Sequence, residues 1–153
     1  MRLKRNHYCK QNEEMLTDRW YRQTIAPKFL QIFEENEAFL QSLKDKNGEI
    51  QFSSYNPISY EINITPVVAE ILKNNKYNLN HSLPVAVEKG MPLVFREYEW
   101  GDDLVKSPLF SVYEPTSDKK HVYPQVMIVP LMGFMEDCHR IGYGGGFYDR
   151  SIE

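Results

Sequence analysis

The sequence predicts an α/β domain, with helices packed on a central sheet. Three observations carry that expectation. Apolar residues recur at helical intervals from Thr17 to Leu43 and again after Thr65, with short strand-like runs between and after them; such alternation is how helices come to cover a sheet. Residues 126–129 (Val-Met-Ile-Val) are wholly apolar and stop at Pro130, the profile of a strand buried on both faces. Four glycines then fall within five positions, at Gly142, Gly144, Gly145 and Gly146, beyond a strand end, where open α/β sheets gather ligands. A length of 153 residues suits one domain spanning 1–153.

The elements follow in order. Residues 1–16 are polar and show no clear period. From Thr17, the positions Trp20, Tyr21, Ile25, Phe29, Ile32, Phe33, Leu40 and Leu43 share a helical face, and Pro27 interrupts them, so two helices or one kinked helix are expected. Asn47-Gly48 marks a turn, and residues 50–55 alternate as a strand does. Thr65-Pro66 opens a short helix with Val67, Val68, Ile71 and Leu72 on one face. Residues 74–80 read as a polar turn, 83–87 and 93–98 as strands separated by Gly90, and 99–124 as a long surface connection rich in acids and prolines.

Composition narrows the function. Eighteen Lys and Arg against 21 Asp and Glu give a net charge of −3, and no stretch gathers enough cations to neutralise a run of phosphates, so nucleic acid is not the expected partner. Cys9 and Cys138 lie far apart without C-x-x-C spacing, which excludes a zinc or disulfide framework and suits a reducing compartment. No apolar run approaches the roughly 18 residues of a bilayer span, and the start is too polar for a signal peptide. A soluble cytoplasmic protein without a membrane partner is expected.

The chemistry points to Arg140-Ile-Gly-Tyr-Gly-Gly-Gly-Phe-Tyr-Asp-Arg150. A loop stripped of β-carbons can turn at positive φ and bring its N–H groups against an anion. It matches none of the common phosphate loops. No Lys-Ser or Lys-Thr follows the glycines, as a P-loop requires. Phe147 stands where a dinucleotide fingerprint needs its third glycine, and a kinase-type loop comes early in its domain, before a lysine strand. The plain alternative is a tight surface turn.

Together with residues 126–130 and Phe134, the segment from His139 to Arg150 resembles the signature of the 5-formyltetrahydrofolate cyclo-ligase (methenyltetrahydrofolate synthetase) family. The motif running from Tyr55 through Asn56 and Glu61, then Leu83-Pro84, Pro92 to Phe95, Gly101 to Leu104 and Glu114-Pro115, resembles the family's upstream sections in the same order. The resemblance implies a three-layer α/β sandwich with a mainly parallel central sheet, of the NagB/RpiA/CoA-transferase type. It implies an ATP- and Mg2+-dependent enzyme that converts 5-formyltetrahydrofolate to 5,10-methenyltetrahydrofolate, releasing ADP and phosphate through a phosphorylated formyl group. It implies an ATP-binding loop formed by Arg140, Ile141, Gly142, Tyr143, Gly144, Gly145, Gly146, Phe147 and Tyr148, with Arg140 as the catalytic cation. Tyr143 through Phe147, with Asn56 and Glu61, would face the folate, and Asp149 would hold Mg2+. The expected partners are thus small molecules, folate and ATP, with the protein a monomer.

Each assignment has a structural alternative. Arg140 as a surface ion-pair residue, Asp149 as a helix cap, Glu61 as a solvated loop acid, and Tyr143, Phe147 and Tyr148 as core aromatics all suit the same residues. The chain also departs from the family pattern. The family continues past the Tyr-Asp signature with further strands and a second magnesium-binding aspartate, so the domain is expected to be C-terminally short. Met135 and Cys138 replace a usual aspartate and glycine, and no Lys-x-x-x-Arg occurs near the start, where Lys4 and Arg5 stand. A truncated or degenerate relative that binds folate or nucleotide weakly is the competing expectation.

Overall fold

The computed structural model describes residues 17–58, 61–137 and 139–153. The polar start, with Lys4, Arg5 and Cys9, and the loop position Cys138 lie outside the described residues.

The first helical run comprises α1 (Asp18–Trp20), a π turn (Tyr21–Ile25), α2 (Ala26–Glu35) and α3 (Glu37–Ser42). Thr17 caps its start by accepting from the Trp20 N–H at 3.2 Å. Pro27 does not split the run. Its missing N–H is accommodated by the wide turn just before it, where the Ala26 N–H reaches back five residues to the Tyr21 carbonyl. The break falls instead at Asn36, whose φ is −113° and whose side chain donates to the Ile32 carbonyl at 2.8 Å.

Next come β1 (Ile50–Ser53), α4 (Thr65–Lys73), a 3-10 turn (Asn75–Tyr77), β2 (Leu79–Val85) and β3 (Val94–Glu97). Strand β2 begins four residues before the alternation suggested. Asn80, His81 and Ser82 look like turn residues, yet they hydrogen-bond within the sheet, and the turn proper is confined to the residues around Asn78, at φ 50°. The expected surface connection at 99–124 is likewise structured. It holds a hairpin of β4 (Leu104–Lys106) and β5 (Tyr113–Pro115), then β6 (His121–Val122). Short strands β7 (Val126–Met127), β8 (Gly133–Phe134) and β9 (Arg140–Ile141) lead to α5 (Phe147–Ile152).

The central sheet has the order β6-β3-β2-β1-β7. Strand β1 is parallel to β2 and β7, while β3 pairs antiparallel with β2 and β6. The α/β class is therefore observed, with its parallel strands grouped on one side of the sheet. Strand β7 is half-buried at the sheet edge and not buried on both faces as its apolar run suggested, because among the described residues it has a strand neighbour on one side alone.

The core forms where the helices meet one face of β1 and β2. Ile50 and Phe52, two residues apart and on the same side of the strand, pack with Phe33, Val67, Val68, Ile71 and Tyr77. Phe33 meets Phe52 and Tyr77 edge-on, with ring centroids 6.3 and 5.5 Å apart. Truncating either phenylalanine to alanine should cost about 3–5 kcal/mol. Ser53 and Ser82 are buried beside each other, and each hydroxyl donates across the strand pair, to the Ser82 and Phe52 carbonyls at 3.1 Å. This rigid parallel pair points its carboxyl end at the site described next. Among the described residues no helix is long and apolar enough to cross a membrane.

Candidate functional site

A cavity of about 550 Å³ opens where the parallel strands end. Tyr55 and Asn56 follow β1, Ala86 follows β2 and Pro130 follows β7, and all four line it. The opposite wall is the glycine loop and the first turn of α5. The walls are largely apolar, with polar groups at a few points, as suits an organic ligand with a charged end.

Within the loop the glycines serve different ends. Gly144 and Gly146 sit at φ 86° and 64°, backbone that L side chains resist. At Gly142 the constraint is space, since a β-carbon there would lie 2.7 Å from Arg140 Nη1. The Arg140 guanidinium is held on three sides. It donates to the Pro130 carbonyl at 3.1 Å, ion-pairs with Asp149 and lies 5.9 Å from the Tyr148 ring centroid. Behind the loop, Arg150 donates to the Gly145 carbonyl at 2.8 Å and stacks 5.2 Å from the Phe147 ring. Phe147 meets Phe110 of the segment between β4 and β5 edge-on at 5.4 Å, which joins the hairpin to the loop.

The electrostatics follow from these contacts. Burial pushes the Tyr148 hydroxyl above the usual phenol range; the nearby Glu61 and Tyr55 add to this and Arg140 opposes it. Glu61 is fixed in its own loop, its Oε2 accepting from the Ile58 N–H at 2.9 Å. Asn56 spends its amide on the scaffold, donating to the Tyr113 carbonyl at 2.8 Å. The Tyr55 hydroxyl donates to the Ile62 carbonyl at 3.1 Å.

The chain matches the 5-formyltetrahydrofolate cyclo-ligase family over residues 9–153. It belongs to that family. A 5-formyltetrahydrofolate cyclo-ligase of Haemophilus influenzae is 28% identical over 136 residues, covering 86% of this chain and 65% of the relative. One from Escherichia coli is 40% identical over 65 residues, 40% of this chain and 35% of the relative. The chain thus matches less than two-thirds of the length of these curated relatives. The solved 5,10-methenyltetrahydrofolate synthetase of Aquifex aeolicus superposes with a TM-score of 0.53 at 23% identity, covering 88% of this chain and 71% of that one. That likeness is one of fold.

In this cyclo-ligase family member, Asn56, Glu61 and every residue from Arg140 to Asp149 line the same cavity. Asn56 and Glu61 come from the β1 side, and residues 140–149 from the loop and α5. Sequence reading missed the third wall. Phe110, Val112, Tyr113 and Glu114 enter from a stretch taken for a surface connection, and Leu83, Pro84 and Leu93 from the strand ends. The alternation Phe110-Ser-Val112-Tyr113 was the available signal, masked by the acids and prolines around it.

Proposed function

We propose that this chain carries out the ATP-dependent conversion of 5-formyltetrahydrofolate to 5,10-methenyltetrahydrofolate. One observation carries the reading: a glycine loop with a fixed guanidinium and an apolar, aromatic wall share a single cavity at the carboxyl ends of parallel strands. Nucleotide and pterin would meet there.

A formyl group on nitrogen is amide-like, and its oxygen leaves badly. In the proposed reaction the formyl oxygen attacks the γ-phosphorus and ADP departs. The neighbouring nitrogen of the same folate then attacks the activated carbon, phosphate leaves with the oxygen, and the nitrogen's proton passes to solvent. Proximity is built into the substrate. The protein's share is alignment and charge. Arg140 offers a cation whose position is preset by the Pro130 carbonyl and the Tyr148 ring. Loop N–H groups receive the phosphates, and Phe110, Tyr143 and Phe147 exclude water from the ring.

Asp149 is the residue that would hold Mg2+. Among the described residues no three His, Cys, Asp or Glu side chains cluster, so water and phosphate oxygens would complete the shell, a common arrangement for this ion. When bound, it offsets phosphate charge during transfer.

A second reading, a relative that binds folate or nucleotide weakly without turnover, is favoured by the ion pair with Arg140 that already occupies Asp149, the carboxylate meant for the metal. Mixing the protein with 5-formyltetrahydrofolate, Mg2+ and ATP separates the two. Near-ultraviolet absorption of the methenyl product supports the enzyme, and a flat trace from a well-folded sample at high concentration refutes it.

A further inference from the structure

Glu114 is a carboxylate of this cavity that enters the family resemblance through Glu114-Pro115 but has no role in the reaction described above. It lines the cavity from β5 while remaining only 6% exposed. Glu61 accepts from the Ile58 N–H, and Asp149 is paired with Arg140. The Glu114 carboxylate makes no hydrogen bond or ion pair with the described residues. Its oxygens stay open to the cavity, where the donors of a ligand can reach them.

The backbone on both sides of it is pinned. Asn56 donates to the Tyr113 carbonyl at 2.8 Å, and Arg96 Nη1 donates to the Pro115 carbonyl at 3.0 Å. The register Val105↔Glu114 fixes the strand pair as well. The carboxylate is therefore held in place before any ligand arrives, among apolar neighbours such as Leu83, Phe110 and Val112 on the cavity wall. A flat heterocycle in such a pocket needs its polar edge satisfied. Two parallel N–H donors match the two oxygens of one carboxylate.

We propose that Glu114 is the residue of this cavity that binds the edge of a flat heterocycle bearing a ring N–H beside an exocyclic amino group. This rests on the folate reading above, because a pterin carries that pair of donors. The bound ring supplies the donors that the protein does not.

The test is calorimetric binding of 5-formyltetrahydrofolate and of its 2-desamino analogue to wild type, Glu114→Gln and Glu61→Gln. Wild type should prefer the amino compound by about tenfold or more. Glu114→Gln should lose that preference and melt no lower than wild type, since the carboxylate makes no bond to the described residues. Glu61→Gln should keep the preference. The role is overturned if Glu114→Gln keeps the discrimination, weakens both ligands equally or fails to fold, or if Glu61→Gln is the variant that loses it. A folded wild type that binds neither compound removes the folate reading itself.

Discussion

Arg140 and Asp149 are joined by an ion pair at the cavity's edge, the arginine Nη2 donating to the aspartate Oδ1. The cation proposed for phosphate and the carboxylate proposed for the metal therefore restrain each other before nucleotide arrives. Asp149 is 65% exposed, so the pair adds less than about 1 kcal/mol to stability.

Replacing Asp149 with asparagine should accordingly leave the melting temperature within a degree or two, about what so weak a pair allows. The same change should abolish the gain in nucleotide affinity that Mg2+ confers on wild type. Titrating ATP by calorimetry with and without the ion measures it. An unchanged magnesium effect would remove the assignment. Arg140→Ala should weaken ATP far more than folate, and equal losses would contradict its role.

Two glycine substitutions should fail in different ways. Gly142→Ala puts a methyl 2.7 Å from Arg140 Nη1, so it should act through displacement of that guanidinium and mimic Arg140→Ala in ATP affinity. Gly144→Ala meets nothing within 4 Å but must hold φ 86°, and should cost about 1–2 kcal/mol of loop strain. Comparing each variant's ATP affinity with that of Arg140→Ala distinguishes the two mechanisms.

Arg150→Met should loosen the loop from behind. It removes the donor to the Gly145 carbonyl and the stack on Phe147, a charge-assisted contact of about 1.5–3 kcal/mol. Amide hydrogen exchange at Gly145 and Gly146 should accelerate while exchange in β1 and β2 stays as in wild type. Unaltered loop protection would show that the clamp is idle.

His81 should make the fold acid-sensitive. Burial beside Phe52 and Tyr98 lowers its pKa from 6.5 to about 4, partly offset by a backbone contact with Tyr98, and Ser54 Oγ lies 2.8 Å from Nε2. A depressed histidine is held neutral in the folded state, so the unfolded chain takes up the proton first. Its contribution is complete above pH 6.5 and drains away as pH falls towards 4, about 3 kcal/mol in all. Urea unfolding from pH 7.5 to 4 should show this slope in wild type and a flatter one in His81→Leu. Parallel profiles would refute it.

The helices, β1 and the glycine loop were legible because each is encoded locally, by a period, a proline at a helix start, or a run of residues without β-carbons. What escaped depends on tertiary context. Asn80, His81 and Ser82 carry turn propensity, yet β1 and β3 satisfy their backbone and turn them into strand. Residues 126–127 look like an inner strand because apolarity reports burial, not sheet order. The β4–β5 wall was missed because its pairing partners lie seven to eleven residues apart within a polar stretch, and Phe110 acquires meaning only through Phe147.

Among the described residues β7 is the outermost strand on its side of the sheet, and that placement bears on how such an edge behaves in a crowded solution. An outermost strand offers its unpaired amides to any neighbour and so invites fibril growth. Here Pro124 and Pro130 flank a two-residue strand, and each proline removes a donor that an incoming chain would need. Brevity and rigid ends thus blunt a border that would otherwise be adhesive.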